Sequence, residues 1–296
     1  MATLREIRRR IAGTRKTQQI TKAMKMVAAV RFHRAQGNIL SARPYARKMN
    51  ELLRHLVTKV EVRLHPLLVQ REVQRAALVV VTADRGLCGA FNANLLRTAV
   101  AHIDKHYHQM DKEGRLKLIC VGRKGLDFFN KRHYNILSNH THIFNVLNIS
   151  HAVKIVEEMT EGYVKGEFDR VEVVYNEFKS VIQQRIVVEQ FLPIPPEEVH
   201  PTERGFVPLI DYIYEPSSKE IVDALVPKHL NFQMWRILLE SNAAEQGARM
   251  TAMDNATENA KELIETLWLS FNNARQAAIT KEILEVVSGS EALKTA

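Results

Sequence analysis

Apolar residues near the beginning of the chain recur three and four positions apart, the spacing that places side chains along one stripe of an α-helix. Thr3 and Glu6 have the spacing of a capping box at the start of this segment. The pattern predicts a helix over residues 4–58, with Gly37 and Pro44 leaving its continuity open. The stripe consists of Leu4, Ile7, Ile11, Ile20, Met24, Val27, Tyr45, Met49, Leu52 and Leu56.

A second stripe runs through the C-terminal part of the chain over four heptads, with one polar member, and is typical of a coiled-coil seam. Ser217 and Glu220 repeat the capping-box spacing, and Pro227 permits a fresh helix start at its own position. Gly289 is typical of a helix C-cap. The pattern therefore predicts a long helix from about residue 228 to that glycine. The seam consists of Met250, Met253, Thr257, Ala260, Ile264, Leu267, Phe271, Ala274 and Ala278.

Between these segments the period changes, and strand-like runs alternate with helical ones. Such alternation predicts right-handed crossovers and a largely parallel sheet, and two successive strands without a helix between them predict an edge hairpin. The predicted strands are Ala76–Thr82, Leu116–Val121, Tyr134–Leu137, Val171–Phe178, Ile186–Phe191 and Val207–Tyr214. The predicted helices are Asn92–Tyr107, Lys124–Lys131 and Ser150–Val164.

Neither terminal helix can bury its stripe alone, so each needs a partner. One helix leads into the central segment and the other leads out of it, so they pair only in antiparallel orientation. The sequence thus predicts an α/β protein in which residues 1–63 and 216–296 form a long two-helix coiled coil. Residues 64–215 form an inserted Rossmann-like α/β domain, which we expect to sit as a head on the paired helices.

Charge supports this pairing. Residues 1–63 contain sixteen Lys or Arg and three acidic residues, whereas residues 215–296 contain eight and twelve. Exposed ion pairs contribute only ~0.2–1 kcal/mol each, so apolar burial must decide the pairing. The longest apolar run, Ala76–Val81, is far too short for a membrane span, and the cationic N-terminus lacks the features of a secretory signal. We therefore expect a chain kept on the cytoplasmic side, with no membrane insertion.

Candidate catalytic chemistry is sparse. The segment Asp84–Asn92 follows a strand and opens a helix, where a dinucleotide fingerprint would lie, but its two glycines lack the G-x-G-x-x-G spacing, which favours a plain tight turn. The segment Gly122–Gly125 lacks the residue pattern of a phosphate-binding P-loop as well. His102 and His106 share a helix face without the H-E-x-x-H arrangement, which favours surface histidines over a metal site. We expect no catalytic residue, cofactor or metal, and the two cysteines read as buried and unpaired.

Cations on the first helix leave three interpretations open: a solvated surface, contact with acidic protein partners, or neutralisation of phosphates. The chain has no stacking platform of aromatic residues and no helix-turn-helix signal, so nucleic acid ranks last. The interspersed apolar residues favour protein. The cations are Arg5, Arg8, Arg9, Arg10, Arg15, Lys16, Lys22 and Lys25.

Three motifs resemble a known family over essentially the whole chain: the γ subunit, or central shaft, of rotary F-type ATP synthases. The first motif is residues 20–29, ITKAMKMVAA, and the second is residues 86–92, GLCGAFN. The third is residues 275–283, RQAAITKEI, continuing to Val287-Ser288-Gly289. Together they are highly specific.

The resemblance implies a non-catalytic rotor that couples proton-driven rotation of a membrane ring to ATP synthesis or hydrolysis. Its implied partners are the α and β subunits of the catalytic hexamer, the ε subunit and the membrane c-ring, with catalysis on β. Its implied place is the cytoplasmic face of the bacterial plasma membrane, as a peripheral part of the complex. The implied coupling residues are Met24, Lys25, Arg249, Gln276, Thr280, Glu282 and Ile283.

The sequence departs from the family pattern at Ala243–Gly247, where Ala-Ala-Glu-Gln-Gly stands before Ala248-Arg249-Met250. A glycine inside a helix costs up to ~1 kcal/mol, which puts local stiffness there in question. No plant-type insertion with an additional cysteine pair is present, so thiol regulation is not expected.

Overall fold

The computed structural model describes residues 3–59, 65–180, 184–195 and 218–295. The chain divides into two compact units. Unit 1 comprises Met1–Ala29 and Arg249–Ala296, and unit 2 comprises Val30–Ala248. The predicted strand Val207–Tyr214 lies outside the described residues.

Two long helices carry the terminal parts of the chain. Helix α1, Leu4–Lys59, continues through Pro44, and the predicted capping box is formed: Glu6 N donates to Thr3 Oγ1 at 3.3 Å, and Thr3 N donates to Glu6 Oε2 at 3.2 Å. Two backbone amides at the helix start, which have no acceptor within the helix, thereby gain a partner, as the spacing predicted.

The second long helix, α6, spans Ser218–Thr295. It begins directly after Ser217 rather than at Pro227, and its predicted end at Gly289 was wrong. It passes through Pro227, whose neighbours Val226 and Leu230 are buried in the core and hold that turn in place. It also passes through Gly289. A glycine weakens a helix by about 1 kcal/mol but does not end it when no competing turn follows.

Unit 2 contains a five-stranded sheet in the order β3-β2-β1-β4-β5. The first four strands are parallel, and β4 and β5 form the predicted antiparallel hairpin. The strands are β1 Ala76–Val81, β2 Leu116–Val121, β3 Ile136–His140, β4 Arg170–Phe178 and β5 Gln184–Leu192. The helices between them are α2 Phe91–His106, α3 His108–Lys112, α4 Arg123–Asn130 and α5 Ile149–Val164.

Alternate residues of β1 enter two separate cores, as a parallel sheet covered on both faces requires. Ala77, Val79 and Val81 pack with α5 and with the buried face of α6 over residues 222–238. Leu78 and its neighbours on the other face pack with α2 and with Phe129 of α4. The first part of α6 is therefore a structural element of the α/β unit.

Two glycines permit close approach within this unit. A Cβ at Gly162 of α5 would lie 2.3 Å from Phe168 Cζ, and one at Gly122, which has φ +89°, would lie 2.1 Å from Thr82 O. Neither position has room for a side chain. Gly37 of α1, by contrast, has nothing within 4 Å of such a Cβ.

A charged side chain of α6 also forms hydrogen bonds with the sheet. The guanidinium of Arg236 donates to both carboxylate oxygens of Glu189, at 3.2 and 3.1 Å, and to Tyr175 Oη at 3.2 Å. Burial disfavours the charge of Arg236, but Tyr175, Glu189 and Glu240 together raise its pKa. Burial, assisted by Arg236, lowers the pKa of the neighbouring His229 from 6.5 to about 4.

The two glycine environments predict opposite effects of one substitution. Gly162→Ala is expected to destabilise the chain by about 1–3 kcal/mol because Phe168 must move. Gly37→Ala is expected to stabilise it by about 0.5–1 kcal/mol because it removes backbone entropy from the unfolded state at no steric cost. Urea unfolding followed by circular dichroism measures both. Equal shifts of the same sign would contradict this account of the packing.

Acidification is predicted to act through His229. Its folded pKa lies below the unfolded value, so the unfolded chain binds the extra proton between about pH 6.5 and pH 4 and stability is lost as the pH falls through that window. His229→Gln should remove about 2 kcal/mol of the stability difference between pH 7 and pH 5. His108→Gln, a change at an exposed histidine, serves as the control. If His229→Gln leaves the pH dependence of the unfolding free energy unchanged, the assignment is refuted.

Candidate interaction surface of the paired helices

In unit 1 the first part of α1 and the last part of α6 pair in antiparallel orientation. Ile7 and Ile11 share a buried cluster with Phe271, whereas Thr21, further along α1, meets Thr257, which lies earlier on α6. Lys25 pairs with Asp254, earlier still. The contacts on α6 move backward as those on α1 move forward, which confirms the predicted orientation.

The predicted seam of α6 is confirmed along its length. Met253, Ala260 and Phe271 are buried, and the other six predicted members are half-buried. The residues between seam positions are mostly exposed. The 3-4 spacing alone therefore located the buried stripe.

The predicted stripe of α1 was only partly right. Ile7 and Ile11 are buried, but Ile20 and Val27 are 60% and 54% exposed. The heptad that starts from Ile7 and Ile11 reaches Thr21 and Ala28 instead, and both are buried. Of the remaining predicted members, Leu4 and Met24 are half-buried, Met49 is buried and Tyr45 is exposed, while the side chains of Leu52 and Leu56 lie outside the described set. Spacing, rather than hydrophobicity, determined which residues face α6.

Polar contacts lie across the middle of the pair. Thr21 Oγ1 and Thr257 Oγ1 are 2.7 Å apart, and Lys25 Nζ lies 2.5 Å from Asp254 Oδ1. The lysine and aspartate side chains are 40% and 56% exposed, so solvent screens this ion pair. The hydroxyl pair sits within the seam, where it replaces an apolar layer.

All seven residues implied as coupling contacts fall in unit 1. Three of them, Met24, Lys25 and Arg249, are half-buried. Four are exposed on the last turns of α6: Gln276, Thr280, Glu282 and Ile283. The spacing of Gln276, Thr280 and Ile283 places these three on one helix face.

The last part of α6 extends beyond the helix pairing. Leu4, the first residue of α1, packs in the same cluster as Ala274. Every residue from Ile279 to Ser290 is exposed. Five of these are large and apolar, which is costly in water unless another molecule covers them. They are Ile279, Ile283, Leu284, Val286 and Val287.

In unit 2, the loop after β1 is held by its own side chains. Asp84 Oδ1 accepts hydrogen bonds from the amides of Arg123 and His142, at 3.0 and 2.9 Å, and Asn92 Oδ1 accepts from Ala83 N at 3.0 Å. Phe178, Ala244 and Ala248 pack with Ala83, Cys88 and Phe91 at this carboxyl end of the strand. The residues that suggested a dinucleotide loop form the predicted tight turn, which packs against α6.

The two histidines of α2 differ from each other: His106 is exposed, as predicted, and His102 is not. His102 is not a free surface residue: its side chain is 16% exposed, and Nε2 lies 2.6 Å from Glu172 Oε2 of β4. The sequence could not reveal this, because the carboxylate comes from a strand 70 residues away. Cys88 and Cys120 are buried, as predicted.

The described residues offer neither a metal-binding cluster nor a membrane-spanning helix. No group of three or more His, Cys, Asp or Glu side chains is arranged to hold a metal ion. No described helix is both long enough and apolar enough to cross a bilayer.

A mixed α/β unit together with antiparallel terminal helices defines a class of proteins with solved members. One is the central stalk and c-ring structure of Tetrahymena thermophila mitochondrial ATP synthase: TM-score 0.60, 24% identity, covering 80% of this chain and 99% of that one. Another is the rotor of Euglena gracilis mitochondrial ATP synthase: TM-score 0.65, 20% identity, covering 93% and 98%. At these identities the likeness concerns the fold.

Sequence comparison identifies the family. The sequence model of the ATP synthase family matches residues 3–293. The ATP synthase gamma chain of Chloroherpeton thalassium is 54% identical over 301 residues, covering 99% of each chain, and that of Chlorobium phaeobacteroides (strain DSM 266) is 54% identical over 295 residues, covering 99% of this chain and all of the relative. The chain belongs to the ATP synthase gamma chain family.

The relative weight of apolar and ionic contacts in the helix pair is testable. Phe271→Ala should destabilise the pair by about 3 kcal/mol, because it opens a cavity against Ile7 and Ile11. Asp254→Asn should cost less than about 1 kcal/mol, because the Lys25 pair is exposed. Thermal unfolding followed by helical circular dichroism compares the two variants. A larger loss in Asp254→Asn would show that charge, not burial, holds the helices together.

Proposed function

We propose that the chain is the non-catalytic rotor subunit of a rotary F-type ATP synthase. It turns within a hexamer of α and β subunits and couples proton-driven rotation of the membrane c-ring to ATP synthesis or hydrolysis, with catalysis on β. Its further partner is the ε subunit. Its place is the cytoplasmic face of the plasma membrane, peripherally, within the complex.

The observation that carries this proposal is full-length likeness to gamma chains at 54% identity. Three motifs that suggested the family fall on parts of the structure suited to contact with other chains. Residues 20–29 lie on α1 and residues 275–283 on α6, both in unit 1, and residues 86–92 form the end of the loop after β1 and the first residues of α2.

Coupling requires that the rotor contact each surrounding subunit differently, because a partner's conformational equilibrium shifts only through differential interaction. Unit 1 has the necessary asymmetry. The α1 part, residues 1–29, carries eight basic residues and one acidic residue, whereas the exposed turns of α6 over residues 279–290 carry five large apolar residues. A subunit facing α1 and one facing α6 therefore meet different chemistry, and rotation exchanges these faces.

The seven implied coupling residues fit this scheme as contacts with the hexamer. Gln276, Thr280, Glu282 and Ile283 are exposed, so they are available to partners without rearrangement. Lys25 already forms an ion pair with Asp254. A contact of Lys25 with another subunit therefore competes with that ion pair or adds to it. Met24 and Arg249 lie at the half-buried border of the helix pair.

Reconstitution separates the function classes. The chain should co-elute with α and β subunits of Chloroherpeton thalassium ATP synthase and alter their ATPase activity, and should show none alone. Binding of NAD or ATP to the isolated chain would favour a dinucleotide protein. Tight, steeply salt-dependent binding of an oligonucleotide would favour a nucleic-acid protein. Failure to associate with the subunits would end the rotor proposal.

Ile283→Asp is predicted to impair assembly or coupling, because it places a charge on the apolar end of α6 where a protein sleeve would desolvate it. Ile283→Leu keeps the apolar surface and should behave as the parent chain. Size-exclusion chromatography of the reconstituted complex and its coupled ATPase measure the two properties. If Ile283→Asp gives an unchanged complex with unchanged coupling, the apolar end of α6 has no part in the mechanism.

A further inference from the structure

A cluster of ionisable side chains lies in unit 2 where α6 meets the hairpin of β4 and β5, with the guanidinium of Arg236 at its centre. Its Nε donates to Gln233 Oε1 at 2.9 Å, and its Nη2 donates to both oxygens of Glu189. Its Nη1 donates to Tyr175 Oη at 3.2 Å and to Glu240 Oε1 at 3.4 Å. A guanidinium has five N–H donors, so all of them are in use, and the bond to Glu240 is the longest.

The carboxyl groups of this cluster outnumber its cations. The charge of Arg236 is matched by Glu189, which accepts two of its hydrogen bonds. Glu177 lies 4.0 Å from Lys179. Glu240 has only its share of the Arg236 charge. If all three carboxyl groups were ionised, the cluster would therefore carry one unmatched negative charge.

Burial places that unmatched charge on Glu240. Its side chain is 15% exposed, against 32% for Glu177 and 40% for Glu189. Its second oxygen, Oε2, is buried and has no hydrogen-bond partner among the residues that the structure describes. A buried carboxylate oxygen without a donor is costly. Protonation of Oε2 removes the charge, while Oε1 still accepts the hydrogen bond from Arg236.

The pKa of Glu240 shifts in the same direction. Burial raises this pKa from its ordinary value of 4.5, Arg236 opposes the shift, and Glu177 and Glu189 reinforce it. Because the folded-state pKa lies above the unfolded one, the stability that Glu240 contributes is fully present below about pH 4.5 and is lost as the pH rises through the folded-state value. The lowered pKa of His229, also on α6, acts with the opposite sign, since it removes stability as the pH falls.

We propose that Glu240 is the proton-binding residue of the contact between α6 and the hairpin. It stays a neutral carboxylic acid at pH values at which exposed carboxyl groups have ionised, and release of its proton leaves an unmatched charge that weakens the contact. Together with His229, it makes the attachment of α6 to the sheet sensitive to pH in both directions. The inference concerns unit 2 alone and does not depend on the proposed rotor function.

Glu240→Gln tests the proposal, because glutamine keeps the size of the side chain and an acceptor oxygen for Arg236 but cannot ionise. In a Trp268→Phe background the fluorescence of Trp235 reports on unit 2, since Trp235 packs against its core. Relative to the parent chain in that background, the thermal midpoint of Glu240→Gln should be about 3 °C higher at pH 8 and within about 1 °C at pH 5.

Glu157→Gln is the matched control, because it neutralises an exposed carboxyl on α5 of the same unit. Its thermal midpoint should stay within about 1 °C of the parent at both pH values. A difference between Glu240→Gln and the parent that is equal at pH 5 and pH 8 would overturn the proposal. A Glu240→Gln chain that is less stable than the parent at pH 8, or that does not fold, would do so as well, because the carboxylate form would then be the required one.

Infrared spectroscopy identifies the group that holds the proton, because the carbonyl stretch of a neutral carboxyl differs from the stretches of a carboxylate. As the pH of the parent chain is raised above 4.5, one carbonyl band should persist after those of the exposed carboxyl groups are lost, and Glu240→Gln should lack that band. If the parent and the variant lose carbonyl intensity over the same pH range, Glu240 does not retain the proton and the proposal is wrong.

Discussion

The organisation of unit 1 depends on burial of two narrow apolar stripes against each other. A single helix with such a stripe gains little from its own hydrogen bonds and is marginal in water. Ile7, Ile11 and Phe271 become buried only because the helices run antiparallel in a register that brings them together. The ion pair between Lys25 and Asp254 is exposed and adds little. Apolar contact therefore sets the pairing, and the exposed cations of α1 remain available for other molecules.

The same helix α6 meets a different requirement in unit 2. There its residues 222–238 cover one face of a sheet whose central strand is buried on both sides. A parallel strand exposed on either face would leave Val79 or Leu78 in water, so the α/β unit needs this helix as much as it needs α5. Arg236 adds a directional contact, because its planar guanidinium reaches both oxygens of Glu189 and the hydroxyl of Tyr175. This contact orients α6 on the hairpin of β4 and β5.

Much of this architecture follows from local sequence. Strand Leu116–Val121 was predicted at its observed bounds, and the seam of α6 was predicted residue by residue, because both periodicities are strong. The predicted stripe of α1 was wrong at Ile20 and Val27. The heptad that contains Ile7 and Ile11 passes through Thr21 and Ala28, which are less apolar but buried. At these positions the more hydrophobic residues are not the ones that the heptad register buries.

Features that depend on distant residues could not be predicted in this way. The partner of His102 is on β4, and the cover of the Asp84–Asn92 turn comes from α6. The cluster of Ile7, Ile11 and Phe271 likewise needs residues from both ends of the chain. The coupling residues implied by family resemblance were placed on unit 1, yet their contacts with other chains stay a prediction.

The Thr21–Thr257 layer explains how register can be fixed where apolar side chains alone would permit sliding. Two hydroxyls supply two protons, and the available acceptors are the carbonyls of Gln18 and Met253 and the opposite hydroxyl. One threonine donates across the pair while the other donates to a carbonyl of its own helix. A slip by one heptad in the direction that sets Thr21 against Ile264 and Thr257 against Ala28 leaves each hydroxyl only its own-helix acceptor and removes the cross-helix hydrogen bond, at a cost of about 0.5–1.5 kcal/mol. A polar layer in a coiled coil specifies register in this manner at some expense of stability. In a helix pair with a long exposed end, a fixed register is thus obtained in exchange for some stability.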